Sequence, residues 1–178
     1  MRSSRVAKRY ARALLGLAAD EQQLEAWGAE LERLTRIVEA PEIAERFASP
    51  EVSHAARMEA LAKVAEKLEL SFPMRSFAVV VASHGRFADI GAIAEVYRRM
   101  LDDRLGRARA ELKFAQQPSD EELGRIMAEV EALAHKKIIP TTTVDSSLIG
   151  GVVVELEGKI YDGSLATRLA EAERRLAS

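Results

Sequence analysis

The stretch from Val144 to Leu165, VDSSLIGGVVVELEGKIYDGSL, decides the fold of the C-terminal part of the chain. Residues Val152–Leu156 form a β-branched run that follows two glycines and is too short for an ordinary helix, which predicts a buried strand. Glu157-Gly158-Lys159 predicts a turn, and Ile160–Asp162 predicts the returning strand. The stretch is therefore a hairpin that leads into the last segment of the chain.

That last segment has the pattern of an amphipathic helix. Ser164 is its predicted N-cap, and its apolar residues recur at spacings of four, three and four among charged neighbours. These residues are Leu165, Leu169, Ala172 and Leu176. Such a stripe predicts contact with the small sheet or with a partner.

The residues before the hairpin predict a strand, a helix and a second strand. Arg107–Phe114 alternates charged and apolar residues, as in a strand with one wet face. Ser119 begins a capping box with Glu122, and the β-rich run from Ile138 to Val144 contains Pro140. Because proline cannot donate a ladder hydrogen bond, this run predicts an edge strand or an irregular entry. Residues 106–178 thus predict a small α+β domain.

The first 105 residues predict six helices. Ser3 or Ser4 is the predicted cap of the first helix, which we expect to end near Ala19, and Asp20 with Gln23 predicts a capping box for the second. The third helix is predicted between Pro41 and Ser49-Pro50. Ser53 begins the predicted fourth helix, and Ser71 begins the fifth. Gly85 predicts a left-handed C-cap at the end of the fifth helix, and Asp89 begins the sixth. The fifth is the most apolar, so we expect it to be the central helix. The predicted fold is mainly α: an N-terminal six-helix bundle (1–105) followed by a small α+β C-terminal domain (106–178).

Composition excludes several classes of protein. The formal net charge is −2, without the basic excess of most nucleic-acid-binding proteins. The chain has no cysteine, hence no disulfide, thiol nucleophile or thiolate metal site. No apolar run reaches the roughly 18 residues of a membrane span. The basic N-terminal region continues directly into a patterned helix, so we expect no removable leader.

Motifs for catalysis or cofactor binding fail on spacing. Between Gly151 and Gly158 lie six residues instead of four, and Ile160 follows Lys159 where a phosphate loop needs Ser or Thr, so a hairpin turn explains the glycines better. The three histidines stand alone, which predicts caps or solvated side chains and no metal site. Ser146-Ser147 lacks a nearby histidine, and turn chemistry accounts for it. We expect no catalytic residues, no cofactor and no metal.

Three blocks of residues, in order, resemble one known family. RVAKRYARALLGLA from Arg5 to Ala18 is similar to the family's opening helix, and His84-Gly85-Arg86 stands where the family tends to have Asn-Gly-Arg. The block from Val144-Asp145 through SLIGG and IYDGS to Arg168-Leu169 is similar to its most recognisable region. The chain resembles the delta subunit of F-type ATP synthases, called the oligomycin-sensitivity-conferring protein in mitochondria. Ser146 departs from a frequent proline and His84 from the asparagine.

The resemblance implies a non-catalytic stator subunit of the proton-translocating ATP synthase, associated with the cytoplasmic face of the bacterial inner membrane only through the complex. The helical domain would bind the catalytic head, and the C-terminal domain would bind b-type peripheral stalk subunits, so that rotation is coupled to ATP synthesis. A subunit that resists torque needs adhesive surfaces, which suits the absence of reactive motifs.

The resemblance also implies which residues bind these partners. In the family, the first and fifth helices receive a helix from the N-terminus of an alpha subunit, and the matching positions are Tyr10, Ala13 and Val80, with Trp27 close by. All four could instead be ordinary core residues. For the peripheral stalk, the candidates are Leu165, Leu169 and Leu176.

Three other functions are alternatives to a stator subunit. A free-standing helical adaptor or scaffold protein fits the same helices and the same lack of catalytic motifs. A nucleotide-binding enzyme is opposed by the failed phosphate loop, and a nucleic-acid adaptor by the near-neutral charge of both halves.

Overall fold

The computed structural model describes residues 2–49 and 51–163. Within them the chain is mainly helical, with a small C-terminal sheet of four strands. It divides into two compact units, Met1–Leu101 and Asp102–Ser178. The predicted domain limits, 1–105 and 106–178, differ from this division by four residues and stay a prediction about independent folding. Ser164 and the stripe Leu165, Leu169, Ala172 and Leu176 lie outside the described residues.

Among the described residues, six α-helices precede the sheet. They are α1 (Arg2–Leu17), α2 (Glu21–Val38), α3 (Pro41–Ala48), α4 (His54–Lys67), α5 (Phe72–Ser83) and α6 (Ile90–Arg104), and a 3-10 turn, Phe87–Asp89, leads into α6.

The predicted caps are largely confirmed. The Asp20 carboxylate accepts the Gln23 N–H at 2.8 Å, while the Gln23 side-chain oxygen accepts the Ala19 N–H at 3.1 Å. Ser53 accepts the Ala56 N–H at 3.2 Å at the start of α4. These bonds satisfy amide donors that have no partner within their own helix.

The C-terminal end of α5 has the predicted left-handed glycine. Gly85 has φ of 66°, and the Arg86 N–H donates to the Val81 carbonyl at 3.0 Å while the Gly85 N–H donates to Ala82. This is the double hydrogen bond of a Schellman motif. His84 is the C-cap residue, and its Nδ1 lies 2.7 Å from the Val80 carbonyl oxygen.

Three helix predictions are corrected. Helix α1 already includes Ser3 and Ser4, so neither is its N-cap, and it ends at Leu17, two residues before the predicted end. Helix α6 begins at Ile90, because Asp89 belongs to the 3-10 turn. The predicted start of α5 is confirmed, since Ser71 is its N-cap residue; the Ser71 side chain makes no cap bond within α5, and its N–H and hydroxyl donate to the buried Glu30 carboxylate of α2.

The core of the first unit is mainly aliphatic, and it also contains the buried aromatic residues Trp27, Phe77, Phe87 and Tyr97. Its largest fully buried side chains come from α1, α2, α4, the entry to α5, α5 itself and α6. The Tyr97 hydroxyl of α6 donates to the Leu24 carbonyl of α2 at 2.8 Å. A Cβ placed on Gly28 of α2 would lie 3.4 Å from both Tyr97 and Leu101. Helices α2 and α6 therefore pack closely where Gly28 lies.

The second unit is built on a sheet with the strand order β2-β1-β3-β4. Its elements are β1 (Arg107–Phe114), α7 (Asp120–Ala134), β2 (Lys137–Val144), β3 (Val152–Leu156) and β4 (Lys159–Asp162). Strands β1 and β2 are parallel and are joined through α7, whereas β3 is antiparallel to both β1 and β4. Pro140 lies opposite Ala110 in the edge strand β2, which confirms the prediction of an edge strand.

The predicted alternation and hairpin are confirmed. Along β1 the apolar residues Ala108, Ala110, Leu112 and Phe114 are buried, and α7 packs on them through Leu123, Ile126, Met127 and Val130. The hairpin turn has positive φ at both central residues, 51° at Glu157 and 78° at Gly158. This is the geometry of a type I′ turn, whose twist matches that of its flanking strands.

Candidate docking surface

Helix α1 has an apolar strip beside its buried face. The strip recurs at spacings of four, three and four: Val6 and Tyr10 are partly buried, Ala13 is exposed, and Leu17 is 70% exposed. Residues at such spacings lie on one side of a helix. The buried face, which holds α1 in the core, is formed by Ala7, Ala11, Leu14 and Leu15.

Helix α5 extends this strip. The Tyr10 and Phe77 rings meet edge to face, with centroids 6.2 Å apart and an interplanar angle of 81°. Val80 lies three residues after Phe77, hence on the same side of α5, and is 46% exposed. We call this set the α1–α5 strip: Val6, Tyr10, Ala13 and Leu17 of α1 with Phe77 and Val80 of α5. The structure thus brings Tyr10 next to α5, and leaves Ala13 and Val80 accessible.

Trp27 does not belong to an accessible surface. It is 6% exposed and lies in the core of the first unit. The part of Trp27 in partner binding stays a prediction, and the structure places its side chain beneath the surface.

Sequence reasoning missed that α5 has a second exposed apolar side. Phe72 is 83% exposed and Val79 is 43% exposed, while Met74 and Val81 are buried. Helix α5 is therefore not enclosed on all sides, contrary to the expected central position. The run Ala78-Val79-Val80-Val81 gave no signal of which valines are exposed, because it is apolar throughout.

The second unit has an apolar groove between α7, β3 and β4, with a volume of about 360 Å³. Ile126, Val130 and Leu133 of α7 line one side, and Val152 and Tyr161 line the other. Leu133 is 57% exposed and Tyr161 39% exposed, so the groove is open. Gly163, the last described residue, lies in its wall.

The loop after β2 is held by local hydrogen bonds, as predicted for Ser146-Ser147. Asp145 Oδ1 accepts the Ser147 N–H at 2.9 Å and the Ser147 hydroxyl at 2.6 Å. The hydrogen bond from the Ser147 hydroxyl, and after it the one from the Ser147 N–H, lowers the pKa of the Asp145 carboxyl. The arrangement is an Asx turn, so these groups serve the local backbone path.

The histidines occupy the predicted kinds of position. His84 and His135 are the C-cap residues of α5 and α7, and His54 is an exposed first residue of α4. In the part of the chain that the structure describes, no three His, Cys, Asp or Glu side chains are grouped as metal ligands. None of the described helices is both long and apolar enough to span a membrane.

Comparisons with known proteins agree over almost the whole chain. Residues 6–176 match the family model described as ATP synthase delta (OSCP) subunit. ATP synthase subunit delta of Syntrophobacter fumaroxidans is 32% identical over 177 residues, covering 99% of this chain and 97% of that protein. The protein of the same name from Anaeromyxobacter sp. strain Fw109-5 is 31% identical over 173 residues, covering 96% of both.

A solved structure shows the same fold. A chain of the Toxoplasma gondii mitochondrial ATP synthase hexamer, determined by cryo-electron microscopy, covers 97% of this chain and 97% of its own length, with a TM-score of 0.63 at 16% identity. At that identity the likeness bears on the fold alone.

The fold and the matches to the family model and to the delta subunits together define a class of protein: a subunit of the peripheral stalk, or stator, of a rotary ATP synthase. The chain belongs to the ATP synthase delta (OSCP) subunit family, which confirms the resemblance seen in its sequence.

Proposed function

We propose that the chain is a non-catalytic connector that links the catalytic head of ATP synthase to the peripheral stalk. The observation that carries this proposal is the family match over residues 6–176, which spans both units. A stator must hold the head against the torque of the rotor. Two units, each with an exposed apolar surface, supply the two attachments that this task requires.

The first unit would bind the head. Residues 1–105 form a six-helix bundle in this proposal, and its α1–α5 strip receives the N-terminal helix of an alpha subunit. Tyr10, Ala13 and Val80 make direct contact, while Trp27 supports them from the core. The supporting geometry is the Tyr10–Phe77 ring contact beside an exposed Ala13, because a small residue next to an aromatic one leaves room for an incoming helix.

The second unit, residues 106–178 in this proposal, would bind the b-type subunits of the peripheral stalk. Leu165, Leu169 and Leu176 are the proposed contacts, on the basis of their helical spacing. The protein would then be peripheral on the cytoplasmic face of the bacterial inner membrane, held there through the complex. No nucleic acid or cofactor takes part.

The proposal is tested by affinity isolation of the tagged chain from membranes of its source organism. We expect the alpha and other head subunits together with stalk subunits. Fragments 1–105 and 106–178 should divide these partners, the first retaining head subunits and the second stalk subunits, once cooperative unfolding shows that each fragment is folded. Recovery of unrelated proteins without ATP synthase subunits would favour a free-standing helical adaptor instead.

A further inference from the structure

A row of cations runs along α1 beside its apolar strip. Arg5, Arg9 and Arg12 each precede a strip residue by one position, so the row repeats the spacing of Val6, Tyr10 and Ala13. One position on an α-helix is a rotation of about 100°, which places the row on the solvent side of the strip. All three arginines are exposed.

One contact joins the row to the strip, and no ion pair between described side chains involves the row. The Arg9 guanidinium carbon lies 5.6 Å from the centroid of the Tyr10 ring, a cation–π distance. None of the ion pairs between described side chains involves Arg5, Arg9 or Arg12. The sequence has no acidic residue before Asp20. Within α1, therefore, nothing neutralises the row.

We infer that the helix seated on the α1–α5 strip carries carboxylates along the side that faces Arg5, Arg9 and Arg12. This inference rests on the proposed function, because it assigns a charge pattern to the alpha-subunit helix proposed to dock there. Apolar contacts would hold that helix, and the cationic row would set its rotation and direction. Charge complementarity of this kind contributes to orientation and association rate more than to total affinity.

The experiment measures binding of a labelled synthetic peptide of the alpha-subunit N-terminus, from the same organism, to the full chain. Between about 50 and 300 mM NaCl we expect the affinity to fall several-fold, because the Debye length shortens from more than 10 Å to less than 8 Å. At low salt, Arg5→Gln and Arg9→Gln should each weaken binding about two- to fivefold, the range of an exposed ion pair. A second peptide, with Asp and Glu replaced by Asn and Gln, should bind equally to the wild-type chain and both variants.

Two control variants separate charge from packing. Arg9→Lys keeps the charge and should retain most of the affinity, whereas an effect of lost Tyr10 stacking would appear in both Arg9 variants. Lys8→Gln makes the same charge change on the same helix, at about 160° around the helix from Tyr10 and so nearly opposite the strip. We expect it to weaken binding less than about twofold, since it faces away from the partner.

The possible outcomes are distinguishable. Peptide binding that is insensitive to salt and equal for Arg5→Gln, Arg9→Gln and the wild-type chain would overturn the inference and leave the proposed docking intact. A peptide that fails to bind the wild-type chain at any salt concentration would overturn the docking proposal itself. If phosphatidylglycerol vesicles bind the chain through Arg5 and Arg9 while peptide binding is unaffected by both substitutions, the row contacts a membrane surface and the inference is wrong.

Discussion

The carboxylate of Glu30 in α2 accepts two hydrogen bonds from Ser71. The Ser71 backbone nitrogen lies 2.8 Å from Glu30 Oε2, and the Ser71 hydroxyl oxygen lies 3.0 Å from the same atom. Ser71 is the N-cap residue of α5, so a residue 41 positions earlier in the chain supplies the negative group at the start of that helix. The charge also lies at the favourable, positive end of the helix dipole. Glu30 is 9% exposed, which reduces competition from water.

Glu30→Ala should lower the free energy of unfolding by about 1–3 kcal/mol, because the Ser71 donors lose a charged acceptor in a buried setting. Urea unfolding of the full chain measures this change. Glu32→Ala, at an exposed position of the same helix, is the control and should shift stability by less than about 0.5 kcal/mol. In a cycle with Ser71→Ala, additive losses from the two substitutions would contradict the proposed coupling.

Gly85→Ala should destabilise the chain by about 1 kcal/mol. The cost is conformational, since φ is 66° and an added Cβ would have no heavy atom within 4 Å. Gly124 is the matched control: it lies inside α7, also with open space around an added Cβ. There the same substitution should stabilise by up to about 1 kcal/mol, because alanine has the higher helix propensity. Equal effects of the two substitutions would contradict the left-handed C-cap.

Ala13→Leu should block the alpha-subunit peptide at little cost in stability. Ala13 is exposed, so the unfolding free energy should change by less than about 0.5 kcal/mol. A clash of 1–3 kcal/mol with the incoming helix would weaken binding by about fivefold or more. Thermal unfolding and peptide titration on the same variant test both parts. Ala128→Leu, an exposed alanine of α7, is the control; a lowered melting temperature with unchanged binding would refute the docking assignment.

Leu169→Asp should weaken binding to the stalk subunits about tenfold or more, while binding to the head is unchanged, because removal of a buried leucine contact costs about 1.5–3 kcal/mol. Surface plasmon resonance against each partner gives the two affinities. Ala170→Asp introduces the same charge one position off the stripe and should have a smaller effect. Equal losses at both partners, with the first unit still folded, would instead indicate one shared interface.

Asp145 should titrate below its ordinary pKa of 3.8, because the Ser147 hydroxyl and N–H donate to its charged form. A carboxyl with a lowered pKa stabilises the fold at pH above its unfolded value, and this contribution disappears as the pH falls through the folded value. The Asx turn should therefore loosen only below pH 3.8. NMR titration should show a higher midpoint in Ser147→Ala, whereas Ser146→Ala should leave it unchanged. A midpoint insensitive to Ser147→Ala would contradict the assignment.

Local patterns in the sequence predicted much of the fold. The Asp20 and Ser53 caps, the alternation of Arg107–Phe114 and the hairpin turn at Gly158 each depend on neighbours a few residues away, and each is present in the structure. The family was also recognisable, because its characteristic residues recur in order along the chain.

Long-range relations were not predictable in the same way. Glu30 has the pattern of an ordinary charged helix residue, and only the tertiary fold brings it to Ser71. The exposure of Val80 beside the buried Val81 depends on which neighbours cover α5, which an unbroken apolar run does not reveal. The family resemblance placed Trp27 near a partner surface, yet its side chain is buried in the core.

The position of β1 in the sheet has a consequence for synthesis on the ribosome. Both neighbours of this strand, β2 and β3, are made after it. Until they emerge, β1 has two unpaired edges, a state that favours intermolecular pairing. Arg107, Arg109, Glu111 and Lys113 alternate with the apolar residues of β1. These charges act as gatekeepers against aggregation until Lys137–Val144 emerges to cover the first edge.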